Sequence, residues 1–372
     1  MKQTGFFWDE KCFWHAGGNF ALTMPLGGNV QPLASGGLPE NPETKRRLKN
    51  LMDVTGLMDE LACKSAEPAT TEDLARIHPA AYLAQFKEMS DAGGGELGLR
   101  TPFAQGGYEI AALSAGLTKA ALLAVLRGDL KNAYALSRPP GHHCLPDYPN
   151  GFCLLANVAI AIEAARALGL GKRFAVLDWD VHHGNGTEAI FYERDDVLSI
   201  SMHQDHNYPL DSGDISDKGR NSGDGHNINI PLPPGCGDAT YLAAMDLVAL
   251  PAIRAFAPDV IIIACGFDAS PFDPLAHMLV TADGFRQMTS RVMDLANEIC
   301  EDKLVMAHEG GYSEAYVPFC GHAVIAEMAG SSIDAGDPLL AAVNARQPNA
   351  RMQAFHREIL DEFVMHFGLG SD

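Results

Sequence analysis

Apolar residues along this chain gather into short runs that alternate with longer stretches of helical periodicity. Ala133–Leu136, Phe174–Leu177, Val197–Met202, Val260–Ala264 and Lys303–Ala307 are nearly continuous in apolar or small residues. That is the pattern of strands buried on both faces. Between and around them, helices are predicted to start at Pro42 and Thr71. Others are expected over Tyr108–Arg127 (ending at Gly128), Leu155–Leu168 (ending at Gly169), Asp238–Phe256, Ala282–Cys300 and much of the chain from Phe319. Three stretches lack periodicity: residues 15–42, an extended loop or arm; Asp91–Gly98, a glycine-rich surface loop; and Asp205–His226, a polar loop. Alternating strand and helix predict an α/β fold on a predominantly parallel sheet, covered on both faces. No linker or repeat divides the chain, so residues 1–372 are expected to form one domain.

Composition narrows the function. With 47% hydrophobic and 20% charged residues, the chain can bury a large core. Its net charge of −20 disfavours direct nucleic-acid binding, which needs a basic footprint, and would suit a cationic substrate. Eight cysteines without a CxxC pair, and no signal-like start, point to reduced thiols in a cytoplasmic protein. No apolar run, the longest obvious one being Val260–Cys265, reaches the length of a membrane span.

The chemistry sits where the strands end. After Ala133–Leu136 comes His142-His143; after Phe174–Leu177, Asp178, Asp180, His182 and His183. Cys265-Gly266-Phe267-Asp268 follows Val260–Ala264, and His308-Glu309-Gly310-Gly311-Tyr312 follows Lys303–Ala307. Ligand sites of open α/β sheets lie outside carboxyl strand ends. Polar residues there can also cap neighbouring helices, but four clusters at equivalent places are hard to explain that way. Asp180, His182 and Asp268 would give a zinc ion three ligands and leave one position open, the pattern of a catalytic site. His142 and His143 suit acid–base work, and Tyr312 behind two glycines can donate to a developing oxyanion. The class implied is metal-assisted hydrolysis of an amide or ester.

PPGHH (139–143), GFC (151–153), DWDVHHGNGT (178–187), GFDA (266–269), DPL (273–275) and EGGY (309–312) resemble the zinc-dependent histone deacetylases. The likeness is to class II and its bacterial relatives, including acetylpolyamine amidohydrolases, and it runs from about Pro42 through the EGGY motif. It implies an arginase-like domain with an eight-stranded parallel sheet. It also implies that metal-bound water attacks an acetyl-amide carbonyl polarised by zinc and Tyr312. By the same resemblance Asp180, His182 and Asp268 are zinc ligands, and His142 and His143 the tandem histidines. Asp178 orients the first of these, and Asn185 stands beside the second as in class II. Backbone carbonyls of Asp178, Asp180, His182 and Met202, with the Ser201 hydroxyl, correspond to an inner potassium site. Carbonyls near Phe191, Arg194 and Val197 correspond to an outer one. Gly151, Phe152 and Tyr208 wall the substrate stem. Leu275 stands where polyamine-selective relatives have a glutamate. Arg100-Thr101-Pro102 replaces the aspartate by which class I enzymes hold the substrate backbone. The expected partners are an acylated lysine-like or small amide and a second copy of the chain; the 15–42 arm either builds that subunit interface or shapes the entrance to the site. Alternatives are an acetylpolyamine hydrolase, an arginase-like dinuclear manganese enzyme and an acyl-lysine binding protein.

Overall fold

A computed structural model of the chain describes residues 3–18, 20–31 and 37–369. Eight strands form one sheet: β1 (Thr4–Phe7), β2 (Ala62–Lys64), β3 (Asn132–Ala135), β4 (Phe174–Asp178), β5 (Val197–Gln204), β6 (Asn227–Leu232), β7 (Val260–Cys265) and β8 (Leu304–His308). Their order is β6-β5-β4-β7-β8-β3-β1-β2, and every pairing is parallel. The predicted α/β class and parallel eight-stranded sheet are therefore present.

Alternation along the central strands sorts side chains into two cores. In β7, Val260 and Ile262 join the layer on one face, while Ile261, Ile263 and Cys265 join the other. The first layer is closed by α2 (Gly107–Leu126) and α3 (Asn157–Ala167). The second is closed by α1 (Glu43–Thr55), the helical run Asp238–Phe256, α5 (Ala282–Cys300) and α6 (Val317–Ala329). A shorter helix, α4 (Asn185–Phe191), follows the loop after β4.

The fold corrects the pattern reading in four places. Strands β1, β2 and β6 went unrecognised: β1 is four residues long and contains Gly5, and β2 and β6 are the sheet edges. β6 carries Pro231, which an edge strand tolerates because its missing N–H need not join a ladder. The glycine-rich 91–98 stretch is partly a strand, since Gly94–Glu96 pairs antiparallel with Pro102–Ala104. A Cβ on Gly94 would meet the Phe103 carbonyl oxygen at 2.2 Å, so glycine is what lets the chains approach. The helix over Asp238–Phe256 contains a π turn at Met245–Ala249 just before Pro251, where the wider turn accommodates the missing donor. Finally, α2 and Asp238–Phe256 are long and apolar enough to cross a membrane. Both are mostly buried against the sheet, 72% and 56% respectively, as core helices are.

Strands β4, β7, β8 and β3 are neighbours in that order at the centre of the sheet. They are the four strands whose ends carry the polar clusters. What is scattered over some 180 residues of sequence, from roughly 133 to 312, thus meets along one edge.

Candidate active site

Asp180, His182 and Asp268 converge under this edge, their ligand-type atoms all within 4.8 Å of one another. His182 Nδ1 lies 3.0 Å from Asp180 Oδ1 and 3.1 Å from Asp268 Oδ2. The remaining carboxylate oxygens are fixed by main chain: Gly310 N donates to Asp180 Oδ2 at 2.7 Å and Val181 N to Asp268 Oδ1 at 2.8 Å. Two glycines make the approach feasible. A Cβ on Gly310 would meet Asp268 Oδ2 at 2.1 Å, and one on Gly266 would meet Asp180 Oδ2 at 2.2 Å. Burial, then the neighbouring Asp180 charge, raise the Asp268 pKa to about 6. Two buried carboxylates facing each other call for a cation, and an O, O, N donor set of this kind fits zinc.

The histidine pair stands beside this cluster with rings 3.9 Å apart. His142 Nδ1 is 2.9 Å from Asp178 Oδ2, and its main-chain N–H donates to Glu309 Oε2 at 3.1 Å, as does Gly141 N at 2.7 Å. Burial works against charge on this ring, but the Asp180 and Asp178 carboxylates outweigh it and raise its pKa to about 10. His143 is held the other way. Burial, then the His142 and His182 rings, keep it well below the ordinary imidazole value. Its Nδ1 is 2.8 Å from Asn185 Oδ1; an amide oxygen only accepts, so Nδ1 carries the proton and Nε2 is left as the base.

Tyr312 closes the group. Its main-chain N–H donates to Asp273 Oδ2 at 2.7 Å, while Asp273 Oδ1 accepts from Leu275 N at 2.9 Å. Burial, then the Asp268 and Asp180 charges, push the phenol pKa well up, so it stays a hydrogen-bond donor. Asp273 was visible only as part of the DPL motif; that it ties Tyr312 to the Leu275 wall needed the structure.

Above these residues opens a cavity of about 120 Å³ lined by Thr23, Arg100, His143, Gly151, Phe152, His182, Asn207, Tyr208, Leu275 and Tyr312. It is far smaller than a typical small-molecule pocket and suits a thin linear group. Phe152 meets Tyr312 edge to face at 5.7 Å, and Tyr208 meets His143 at 5.1 Å. A Cβ on Gly151 would meet His143 Cδ2 at 2.5 Å and Tyr208 Cε1 at 2.8 Å, so that wall also depends on glycine. Phe20 and Leu38 of the 15–42 arm pack with Phe152 and Tyr312. The described part of the arm therefore shapes the mouth; Asn19 and residues 32–36 lie outside the described residues. A larger surface cavity, about 710 Å³, is lined by Glu163, Arg166, Arg194 and Asp196 among others, but those four charges pair with one another.

The residues of the expected potassium sites fall in two groups. Asp178, the last residue of β4, pairs in register with Ser201, next to Met202, within β5. Phe191 ends α4, and Arg194 and Val197 lead into β5. His183 is buried between Ser212 Oγ (2.9 Å) and Glu188 Oε2 (3.2 Å), away from the three-residue cluster. His308, the first residue of the cluster that ends in Tyr312, closes β8 and is buried against Tyr134, its Nδ1 2.7 Å from the phenol oxygen.

An α/β sheet that brings ligand-type carboxylates, a histidine pair and a buried phenol to the ends of its central strands is built as a hydrolytic enzyme. Residues 38–328 match the histone deacetylase domain, and the chain belongs to that family. It is 56% identical over 99% of its length to a histone deacetylase-like amidohydrolase of Pseudomonas aeruginosa, 97% of which is covered. A probable deacetylase of Archaeoglobus fulgidus is 39% identical over 80% of this chain and 84% of its own. Among solved structures, the HDA15 HD domain superposes with a TM-score of 0.80 at 30% identity, covering 99% of both chains. The chain is thus a hydrolase of acetyl amides, in a family that is generally zinc-dependent.

Proposed function

We propose that this protein is a zinc-dependent deacylase that releases lysine-like amines from their acetyl or similar acyl amides. The observation that carries the reading is the meeting of Asp180, His182 and Asp268 with His143 and Tyr312 at the floor of one narrow cavity. Asp180, His182 and Asp268 would hold the zinc, which when bound polarises the carbonyl and acidifies water. His143 Nε2 takes the proton of the attacking water, and Asn185 holds the ring in the tautomer that leaves this nitrogen free. Tyr312 donates to the carbonyl oxygen as charge builds on it. His142, kept protonated by Asp178 and Asp180, stabilises that charge or supplies a proton to the leaving amine. Phe152 and Tyr208 grip the aliphatic stem.

Potassium held by the Asp178, Ser201 and Met202 group, and by the Phe191, Arg194 and Val197 group, belongs to the same proposal as a structural ion. So do a single catalytic domain over residues 1–372, a cytoplasmic location, favoured by eight cysteines without a CxxC pair, and assembly into a homo-oligomer. Turnover of acetyl-lysine peptides with defined zinc, set against acetylspermidine, tests the central claim. His143→Ala and Tyr312→Phe should each lower kcat by about a hundredfold or more while zinc content is retained. Undiminished rates in both would sink the mechanism; a clear preference for acetylspermidine would turn the reading towards the polyamine.

A further inference from the structure

Arg100 stands out at the mouth of the cavity. Among the described residues lining it, this is the one side chain of permanent charge, and none is acidic. The Asp180 and Asp268 carboxylates lie at the floor, beyond the lining. Arg100 is exposed and has no ion pair among the described residues; its guanidinium lies over the Tyr208 ring, 5.2 Å from the centroid. A cation–π contact of this kind holds the guanidinium beside the ring while leaving N–H donors available to a ligand.

The backbone holds it there at a cost. Arg100 has φ +58°, in the left-handed region that an arginine rarely adopts. The strained segment is pinned to the cavity wall on both sides. Leu99 N donates to Pro149 O at 3.2 Å, Gly151 N to Leu99 O at 3.0 Å and Phe152 N to Arg100 O at 2.9 Å. The same contacts that set the Gly151–Phe152 wall therefore set the arginine. The lining also includes Thr23, Asn207 and Leu275, and Asn207 Nδ2 already donates to Leu275 O at 3.1 Å.

We infer that Arg100 is a specificity-determining residue that selects substrates with a carboxylate on the amine side of the scissile amide. An acyl-lysine with its own free carboxylate or an acidic neighbour fits; an acylated polyamine, whose second ammonium would meet a like charge and no carboxylate, does not. The inference rests on the deacylase reading for which end of the substrate faces the mouth: the carbonyl goes to the floor, so the amine portion emerges past Arg100.

The test uses the zinc-loaded full chain and acetyl-lysine peptides that differ only in a flanking Glu, Gln or Lys, with free N-acetyl-lysine, its amide and acetylspermidine alongside. Wild type should favour the Glu-flanked over the Lys-flanked peptide by about tenfold in kcat/KM, a swing expected of one partly solvated charge pair. Arg100→Gln should bring the ratio within about twofold, Arg100→Lys should keep most of it, and Arg100→Glu should invert it and improve acetylspermidine. A ratio in Arg100→Gln equal to wild type overturns the inference. Peptide affinities measured by fluorescence anisotropy on Tyr312→Phe, with and without Arg100→Gln, separate this from the deacylase reading. If no substrate turns over, that reading fails. The Arg100 inference then stands on an affinity ratio that the second substitution abolishes. It falls if Glu- and Lys-flanked peptides bind equally or the Glu-flanked peptide does not bind.

Discussion

Two groups of ionisable side chains are sealed inside this molecule, and they are balanced in opposite ways. Behind the cavity, Glu40, Arg138 and Lys45 are 2%, 1% and 0% exposed. Glu40 Oε1 accepts from Arg138 Nε at 2.9 Å and Lys45 Nζ at 3.1 Å, and Arg138 Nη1 donates to the Cys12 and His15 carbonyls, each at 2.9 Å. The one carboxylate there meets two cations, and the arginine's further donors meet main-chain carbonyls, so no negative charge is left over. At the cavity floor Asp178, Asp180 and Asp268 are equally buried, yet only imidazoles and main-chain N–H groups face them. Even with His142 and His182 both protonated, the aspartates outnumber them. Burial of charge is common to the two groups; the unanswered sign is what distinguishes a ligand site from a structural one. The groups also adjoin, for Lys45 Nζ lies 5.9 Å from the Tyr312 ring centre.

The largest effect should come from removing an unanswered charge. Asp180→Ala should lower kcat/KM by about a thousandfold or more, since several kcal/mol of carbonyl activation depend on the ion it would hold. Metal analysis should find little zinc in the variant. A chelator should lower the thermal midpoint of the wild type and leave the variant where it was, because only a chain that binds the ion is stabilised by it. A zinc content and midpoint shift equal to wild type in Asp180→Ala would erase the distinction between the two groups.

Breaking the balanced group should act on stability instead. Arg138→Met leaves Glu40 with Lys45 alone and strips donors from two buried carbonyls, so urea unfolding should show a loss of about 3–5 kcal/mol. In the metal-free protein Asp268→Asn should cost little, or stabilise by about 1 kcal/mol, because it relieves repulsion with Asp180. Equal losses in the two variants would mean that the aspartates are as well compensated as Glu40.

Acid should find the same difference. Burial tends to raise the Glu40 pKa, but Arg138 and then Lys45 override it and hold it at about 2, against an ordinary 4.5. A depressed carboxyl contributes stability that is fully present above pH 4.5 and is lost as pH falls towards 2. For this residue that amounts to about 3 kcal/mol. Unfolding free energies of wild type and Glu40→Gln, measured in that window, should converge as the pH drops. Parallel curves would mean that Glu40 does not titrate with folding.

What could be read from the chain beforehand follows from where the information is local. The buried strands β4, β7 and β8 are continuous apolar runs, and the clusters at their ends are contiguous in sequence. Their being neighbours is a property of strand order, which no local pattern carries. β2 and β6 leave little pattern because a sheet edge asks little of its residues, and β1, an interior strand, because it is only four residues long and contains Gly5. Glu40 and Lys45 look like ordinary surface polar residues in sequence, and only packing shows them buried and paired, as only packing shows what the Asp273 of the DPL motif holds. Arg100 was legible as a departure from a family pattern, but its charge gained meaning from the uncharged wall around it. The potassium residues still rest on resemblance, since main-chain carbonyls leave no mark in a sequence.

The smallest effect concerns a residue that touches neither group directly. Asn185 opens α4, and its amide oxygen accepts from His143 Nδ1 at 2.8 Å. It supplies no charge, so its removal should leave zinc content and stability nearly unchanged. What it supplies is a tautomer. Without an acceptor at Nδ1 the neutral ring is free to carry its proton on Nε2, and the base is lost in that fraction of molecules. Asn185→Ala should therefore lower kcat by about tenfold to a hundredfold, as loss of an orienting partner does elsewhere, with KM barely moved. Asn185→Asp keeps an acceptor at the same atom and should retain most of the rate. If Ala and Asp behave alike, orientation of His143 comes from the walls around the ring, Gly151 and Tyr208, rather than from this hydrogen bond.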